Sequence, residues 1–188
     1  IQEGALLNGP IDKTLSCKFD EIDEQAILKS VRETKGAGGA SQLDVDQYRH
    51  ILMSQKYKKE GKELREQIAI LAKKLATSIV DPSILEAFTA CRLIPLNKNP
   101  GVRPIGIGEV LRRIIGKSIN SVLKDDIQEA EDPLQMATGL KCGAEAAIRS
   151  IREVFEQDTT DSVILVDASN AFNRLNRSVA LHNIQIIA

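Results

Sequence analysis

Aromatic side chains are scarce in this sequence: Trp is absent, and aromatic residues make up only 3% of the 188 residues. We therefore do not expect an aromatic platform on which bases stack. No apolar run approaches the ~20 residues that a membrane-spanning helix needs, so no membrane contact is predicted. The three cysteines are far apart and form no disulfide framework. This pattern indicates an intracellular protein, cytoplasmic or nuclear, and not a secreted one.

Net charge is also nearly absent, because 25 basic residues stand against 26 acidic ones. This balance gives no overall basic signal for nucleic acid. What is present is a hydrophobic share of 43%, which is typical of a globular protein. The chain begins at Ile1 without Met or a signal-peptide pattern and stops within an apolar stretch. We therefore expect it to be a piece of a longer protein.

Apolar residues at helical spacing predict that residues 1–89 are mainly helical. The glycine cluster 36–39 is expected to end one helix and to form a flexible loop. Either Ser41 or Asp44 is expected to cap the helix that follows. The clearest helical signal comes next, with a predicted inward stripe at Leu64, Ile68, Leu71, Leu75 and Ile79.

The sequence changes character at residue 90. Two short apolar stretches, 92–96 and 102–107, are separated by turn residues and predict a β hairpin. Two helices are predicted after it, one with apolar residues between positions 110 and 123 and one at 143–155 with its apolar residues inward. Residues 163–166 are a continuous apolar run, which predicts a strand buried on both faces.

Positive charge is concentrated in residues 91–124, which contain seven basic residues and a single acid, Glu109. A hairpin that carries Lys98 and Arg103, followed by a basic helix, is suited to bind phosphates. We expect Glu109 to orient a neighbouring arginine. The alternative is an ordinary solvated ribbon and helix face, which composition alone favours.

Asp167 directly follows the predicted strand, and sites commonly form at such strand ends. A carboxylate buried there needs a partner or a metal ion. The alternative is an ordinary Asp that caps the turn 167–170. Two phosphate-loop patterns also occur, at 116–118 and 106–108, but each has Leu111 where a glycine is required. The first is rejected, and the second is weak.

Residues 166–173, Val-Asp-Ala-Ser-Asn-Ala-Phe-Asn, strongly resemble the first catalytic motif of reverse transcriptases. Further segments resemble other parts of the family, in the family's order. Residues 39–44 resemble its glycine-rich entry, and residues 92–98 with 101–105 resemble its fingers hairpin. Residues 108–117 resemble the helix after that hairpin, and residues 135–143 resemble the segment before the catalytic strand. The resemblance is closest to polymerases of eukaryotic retroelements. Several segments in the right order are more specific than any one of them.

The resemblance implies an α+β fold with reverse-transcriptase-like fingers, made of helices and a β hairpin, and the start of an antiparallel palm sheet. Residues 1–89 correspond to the N-terminal helical part of the fingers. Residues 90–160 correspond to the fingers hairpin and the helices after it. Residues 161–188 correspond to the first palm strand and the start of the next helix, so the palm is truncated.

The implied activity is that of an RNA-directed DNA polymerase, which adds deoxynucleotides to a DNA primer on an RNA template with two Mg²⁺ ions. Asp167 is implied as the catalytic metal ligand, together with the backbone carbonyl of Ala168. The implied partners of the deoxynucleoside triphosphate are Lys98, Arg103, Ala171 and Phe172, the last as a steric gate against a 2′-hydroxyl. Contacts with nucleic acid are implied for Arg112, Arg113, Lys117 and Lys141.

One part of the family's machinery is absent from the sequence. The family needs a later acidic pair, usually Tyr/Phe-x-Asp-Asp, and the 188 residues contain no such tetrad. Because one carboxylate cannot hold two divalent ions, we expect this chain alone not to polymerise. The alternative is a non-catalytic nucleic-acid-binding protein derived from a decayed retroelement. A helical scaffold without a nucleic-acid role is a third possibility, and it leaves the motif order as coincidence.

Overall fold

The computed structural model describes residues 16–130, 135–136, 141–157, 159–167 and 176–179. These residues form seven α-helices, one short 3₁₀ helix and one two-stranded antiparallel sheet, so the predicted α+β class is confirmed. They divide into a larger unit, residues 16–124, and a smaller unit with the described residues from 125 onward. No helix in the described ranges is both long and apolar enough to cross a membrane.

Most helices precede the sheet in the chain. They are α1 Ser16–Phe19, α2 Glu24–Glu33, α3 Val45–Met53, α4 Lys58–Thr77, the 3₁₀ helix Pro82–Leu85 and α5 Glu86–Thr89. The sheet consists of β1 Cys91–Asn97 and β2 Val102–Gly108. After the sheet come α6 Val110–Ala130 and, in the smaller unit, α7 Gly143–Phe155.

Acidic N-caps start the second and third helices. Asp23 begins α2, and its Oδ1 accepts a hydrogen bond from Ala26 N at 2.8 Å. Asp44 begins α3, where its Oδ1 accepts from Gln47 N at 2.9 Å and the Gln47 side chain accepts from Asp44 N at 2.8 Å. This reciprocal capping box satisfies two N–H groups that the helix itself leaves unpaired. Of the two predicted caps, Asp44 starts the helix, and Ser41 has another partner.

The core of the larger unit is formed by α2, α3, α4 and the first turns of α6, together with residues beside α1. Its fully buried aliphatic side chains include Ile22, Ile27, Val31, Leu52, Val110 and Ile114. On α6, every apolar position predicted between 110 and 123 is buried or packs against this core. The helical period of those positions therefore identified the inner side of α6 correctly.

The inner side of α4 differs from the predicted stripe. Leu64 and Leu71 are 42% and 38% exposed, and Ile79 lies beyond the end of the helix. Ile68 of the predicted stripe is buried and Leu75 packs against the core, but the other buried residues of α4 are Gly61, Arg65, Ala69 and Ala72. Gly61 lies close to the backbone of α3, where an added Cβ would meet Ile51 O at 3.2 Å, and Arg65 reaches Glu24 of α2 and Leu52 O of α3. A count of large apolar residues does not detect such a face.

The predicted hairpin is present. β1 and β2 pair in antiparallel register along their whole length. In the turn, Lys98 N donates to Gly101 O at 2.9 Å, and Gly101 has a φ of 100°, which favours glycine. Pro95 lies opposite Pro104. Because neither proline has an N–H group, this pair suits a ribbon with unpaired edges rather than the centre of a sheet.

The helix of the smaller unit was expected to turn its apolar residues inward, and the structure contradicts this. On α7, Ile148, Ile151, Val154 and Phe155 are 67%, 47%, 53% and 53% exposed. The helix itself is amphipathic, as the sequence predicts. An apolar stripe becomes buried only when another element packs on it, and the described part of the smaller unit does not bury this one.

The expected strand at 163–166 is also not formed in the structure. Residues 161–167 belong to neither helix nor strand. Ile164, Leu165 and Val166 are 84%, 88% and 89% exposed, whereas burial on both faces was predicted. A strand needs ladder hydrogen bonds to a neighbour, and no described residue pairs with this segment.

Candidate nucleic-acid interface

The tip of the hairpin presents two exposed cations. Lys98 directly follows β1, and Arg103 lies in β2 opposite Leu96 of β1. Both cationic side chains are exposed, and no hydrogen bond or ion pair joins either one to another described residue. Cations without a protein partner can bind phosphate oxygens without first breaking an ion pair.

Glu109 connects the end of β2 to the glycine loop, which we define as residues 36–44. Its Oε1 accepts a hydrogen bond from Ser41 N, and its Oε2 accepts one from Ser41 Oγ, each at 2.7 Å. Glu109 is only 9% exposed, so little water competes for these bonds. We term this pair of hydrogen bonds the latch. The partner expected for Glu109 was an arginine, and its hydrogen-bonded partner in the structure is Ser41.

Gly39 is required for the latch because its position has no room for a side chain. A Cβ on Gly39 would lie 2.7 Å from Glu109 N and 2.9 Å from Glu109 Cα. These distances are too short for non-bonded atoms, and the atoms met belong to backbone that cannot rotate away. The glycine cluster was predicted as a flexible loop, and at Gly39 it serves instead as a point of close backbone approach.

Arg113, in the first turn of α6, holds another part of the same loop. Its Nη1 donates to Lys35 O at 2.6 Å, and its Nη2 donates to Ala37 O. Its buried Nε has no partner among the described residues. These bonds give Arg113 a structural role. The predicted contact of this side chain with nucleic acid stays a prediction.

Arg112 ties the other strand of the hairpin to α6. Its Nη1 donates to Thr89 O, two residues before β1, at 3.1 Å. Its Nη2 contacts Cys91 Sγ, at the start of β1, at 3.8 Å. The roots of both strands are therefore anchored, β1 through Arg112 and β2 through Glu109.

The latch changes the acidity of the groups around it. Hydrogen bonds from the Ser41 hydroxyl and amide lower the pKa of Glu109, and the Arg113 charge lowers it further. Burial raises the pKa of Tyr48, and the charge of Glu109 adds to this rise. Tyr48, Ser41 and Glu109 line a cavity of about 450 Å³ whose remaining lining is apolar. Because its pKa is lowered, Glu109 is ionised in the folded protein at neutral pH.

The other predicted nucleic-acid contacts lie on separate elements. Lys117 is exposed on α6, one turn beyond Arg113. Lys141 is exposed in the smaller unit, two residues before α7 begins. Lys117 thus belongs to the same unit as the hairpin cations, while Lys141 belongs to the other unit.

The predicted catalytic residues are only partly described. Asp167 lies in the smaller unit with an exposed side chain. Ala168, Ala171 and Phe172 lie outside the described residues. Within the described ranges, no group of three or more His, Cys, Asp or Glu side chains is arranged to hold a metal ion. Of the residues predicted to hold Mg²⁺, only Asp167 is therefore described, and its role stays a prediction.

The latch is the feature of this site that the sequence did not predict. Its two residues are 68 positions apart, and neither a serine after small residues nor a glutamate after a strand is diagnostic by itself. The signal that was available is the pair of glycines at 38–39, which indicates close backbone approach somewhere but does not name the partner.

No protein-family model matches the chain, and the search of curated proteins found no match either. The resemblance to reverse transcriptases therefore depends on the chain's own motifs and their order.

Proposed function

We propose that this chain is the fingers region and first palm motif of an RNA-directed DNA polymerase that adds deoxynucleotides to a primer. The observation that carries the proposal is the hairpin with Lys98 and Arg103 exposed near its tip and without a side-chain partner among the described residues. It lies upstream of an Asp-Ala-Ser-Asn-Ala-Phe motif, in the order found in reverse transcriptases. A polymerase must neutralise a triphosphate, and two exposed cations near the tip of a short ribbon are suited to that task.

In this proposal each cation has a definite role. Lys98 and Arg103 bind phosphate oxygens and orient the incoming deoxynucleoside triphosphate. The exposed Lys117 contributes charge that attracts the RNA template and DNA primer. Arg112 and Arg113 hold the hairpin and the glycine loop in place through backbone carbonyls. Mg²⁺ stays a prediction for the complete enzyme, with Asp167 as one of its ligands.

A second candidate is a non-catalytic nucleic-acid-binding protein derived from a decayed retroelement. The exposed cations of the hairpin and α6 support binding of this kind equally well, since phosphate contacts need no catalytic carboxylate. The two candidates differ in the role of Asp167, which matters only to the polymerase.

Binding is tested with a labelled single-stranded RNA and the 188-residue chain over a range of salt concentrations. We expect weak binding, and we expect the Lys98→Ala/Arg103→Ala double variant to reduce the slope of log affinity against log salt by about 1.4. The matched control is Lys59→Ala/Lys62→Ala, which removes two exposed cations of α4. Equal loss of affinity in both double variants would show that only net charge matters.

Catalysis is tested in the complete parent protein by primer extension on an RNA template with all four deoxynucleotides. We expect Asp167→Asn to abolish extension, because a neutral amide is a poor ligand for Mg²⁺. Extension that survives this substitution contradicts the proposed role of Asp167. A parent protein that binds RNA but never extends a primer supports the second candidate instead.

A further inference from the structure

The hairpin is attached to the rest of the larger unit by polar contacts at its two roots. Its tip cations lie beyond those roots, and Leu93 and Val102 of the ribbon are 70% and 61% exposed. Among the described residues no third strand pairs with β1 or β2. The direction in which the ribbon points is therefore set by its root contacts rather than by packing along its length.

We infer that Glu109 and Ser41 are positioning residues, and that the latch between them sets where the hairpin presents Lys98 and Arg103 to a triphosphate. This inference rests on the proposed function of the hairpin. Glu109 directly follows β2, and its carbonyl accepts the first hydrogen bond of α6, from Arg113 N at 3.1 Å. The latch thus fixes the residue at which strand and helix meet.

The latch is built for a fixed geometry. Both carboxylate oxygens of Glu109 are used, each by a different donor of Ser41, so rotation of the carboxylate breaks at least one bond. The loop that carries Ser41 is itself held at Lys35 and Ala37 by Arg113. Loss of the latch leaves β2 attached to α6 but removes its tie to this loop.

The effect of the latch on anion binding can be separated from the effect of the protein's net charge, because the two have opposite signs. Removing an acid from a basic segment strengthens the binding of an anion if only the field of the protein matters. If Glu109 positions the hairpin, its removal weakens binding of the same anion. Ser41→Ala removes the hydroxyl bond of the latch and keeps the bond from the backbone N–H, and it does not change the charge. Weaker binding by this variant is therefore expected only if the latch positions the hairpin.

The experiment measures the affinity of the 188-residue chain for inorganic triphosphate by calorimetry. In the inferred arrangement this small anion contacts both cations, so its affinity is sensitive to where they lie. We expect Glu109→Ala, which loses both hydrogen bonds of the latch, to weaken binding by about 10-fold, and Ser41→Ala, which loses one, to weaken it by about 3-fold. The double variant is expected to bind no more weakly than Glu109→Ala, because Glu109→Ala already removes the hydrogen bond that Ser41→Ala removes. Ser41→Thr keeps the hydroxyl and amide and is expected to bind as the wild type does.

Two control variants separate the latch from surface charge and from overall stability. Glu63→Ala removes an exposed acid of α4, and it is expected not to weaken binding. Val31→Ala destabilises the core without touching the latch, and an unchanged affinity there excludes a general effect of stability. If the Glu109→Ala variant binds triphosphate as tightly as the wild type, or more tightly, the inference is overturned while the proposed function stands. If the Lys98→Ala/Arg103→Ala variant binds triphosphate like the wild type, both the inference and the proposed function are overturned. The same holds if the wild type has no affinity for triphosphate.

Discussion

Arg65 of α4 and Glu24 of α2 form an ion pair inside the core of the larger unit. Each residue is only 9% exposed, and the guanidinium also donates to Leu52 O at the end of α3. One side chain therefore connects three helices. The pair explains why an arginine lies on the buried side of α4, between positions that apolar residues were expected to occupy.

Removing Arg65 is predicted to destabilise the fold strongly. In Arg65→Ala the carboxylate of Glu24 stays buried without its partner, which costs about 3–5 kcal/mol. Lys73→Ala is the control, because Lys73 lies on the same helix and pairs with the exposed Asp20 at 3.8 Å. That surface pair is worth at most about 1 kcal/mol. Urea unfolding measures both, and similar losses in the two variants would contradict a structural role of the buried pair.

Two glycines are predicted to respond in opposite ways to substitution by alanine. Gly39→Ala places a Cβ against the backbone of Glu109 and is expected to cost about 1–3 kcal/mol of unfolding free energy. Gly116 lies inside α6, and a Cβ there meets nothing within 4 Å. Gly116→Ala is therefore expected to stabilise the protein by about 0.5–1 kcal/mol. Thermal unfolding of the two variants compares them, and a loss of stability in both would contradict the open space at Gly116.

The latch is predicted to weaken in acid. Because hydrogen bonds lower the pKa of Glu109 below its ordinary value of 4.5, its carboxylate stabilises the folded state above that value. The contribution disappears as the pH falls through the lowered pKa. The free-energy difference between wild type and Glu109→Gln is thus expected to shrink as the pH falls below the ordinary value of 4.5. Arg113 and Tyr48 also face Glu109, and the pKa of Tyr48 is raised from its ordinary value of 10.0 by burial and by the charge of Glu109. If the free-energy difference between wild type and Glu109→Gln stays constant with pH, the charge of Glu109 does not contribute to stability.

Hydrogen exchange is predicted to differ sharply between two segments. Backbone amides of residues 163–166 are expected to exchange fast, because these residues form no ladder and their side chains are exposed. Amides near Ile68, Ala69 and Ala72 in α4 are expected to be among the slowest, because this part of the helix is buried. Mass spectrometry of exchanged peptides reports both at once. Strong protection of 163–166 in a monomer would contradict the unpaired segment.

Phe172 is predicted to select the sugar of the incoming nucleotide in the complete parent protein. If its ring acts as a steric gate, as the resemblance implies, Phe172→Val leaves room for a 2′-hydroxyl and raises ribonucleotide incorporation. Deoxynucleotide use is expected to fall less, because Lys98 and Arg103 are unchanged. Single-nucleotide kinetics measure the ratio of the two. An unchanged ratio with equal loss of both activities would identify Phe172 as an ordinary core residue instead.

Local features of the larger unit followed from the sequence alone. A helix start near Ser41 or Asp44, the hairpin around its turn at 98–101 and the inner side of α6 depend on neighbouring residues in the chain, and the structure selects Asp44 as the cap. Capping, turn chemistry and helical period act over a few positions, so a short stretch of sequence contains all the information they need. The candidate cations Lys98 and Arg103 were found for the same reason.

The tertiary structure decided which faces are buried and which polar groups meet. The sequence shows an apolar stripe on α7 and an apolar run at 163–166, but burial needs a second surface, and the described residues do not cover either one. The buried side of α4 depends on a pair between Arg65 and Glu24, 41 positions apart, and the latch joins residues 68 positions apart. Such contacts are set by how helices pack in space, and no periodic pattern along the chain encodes them.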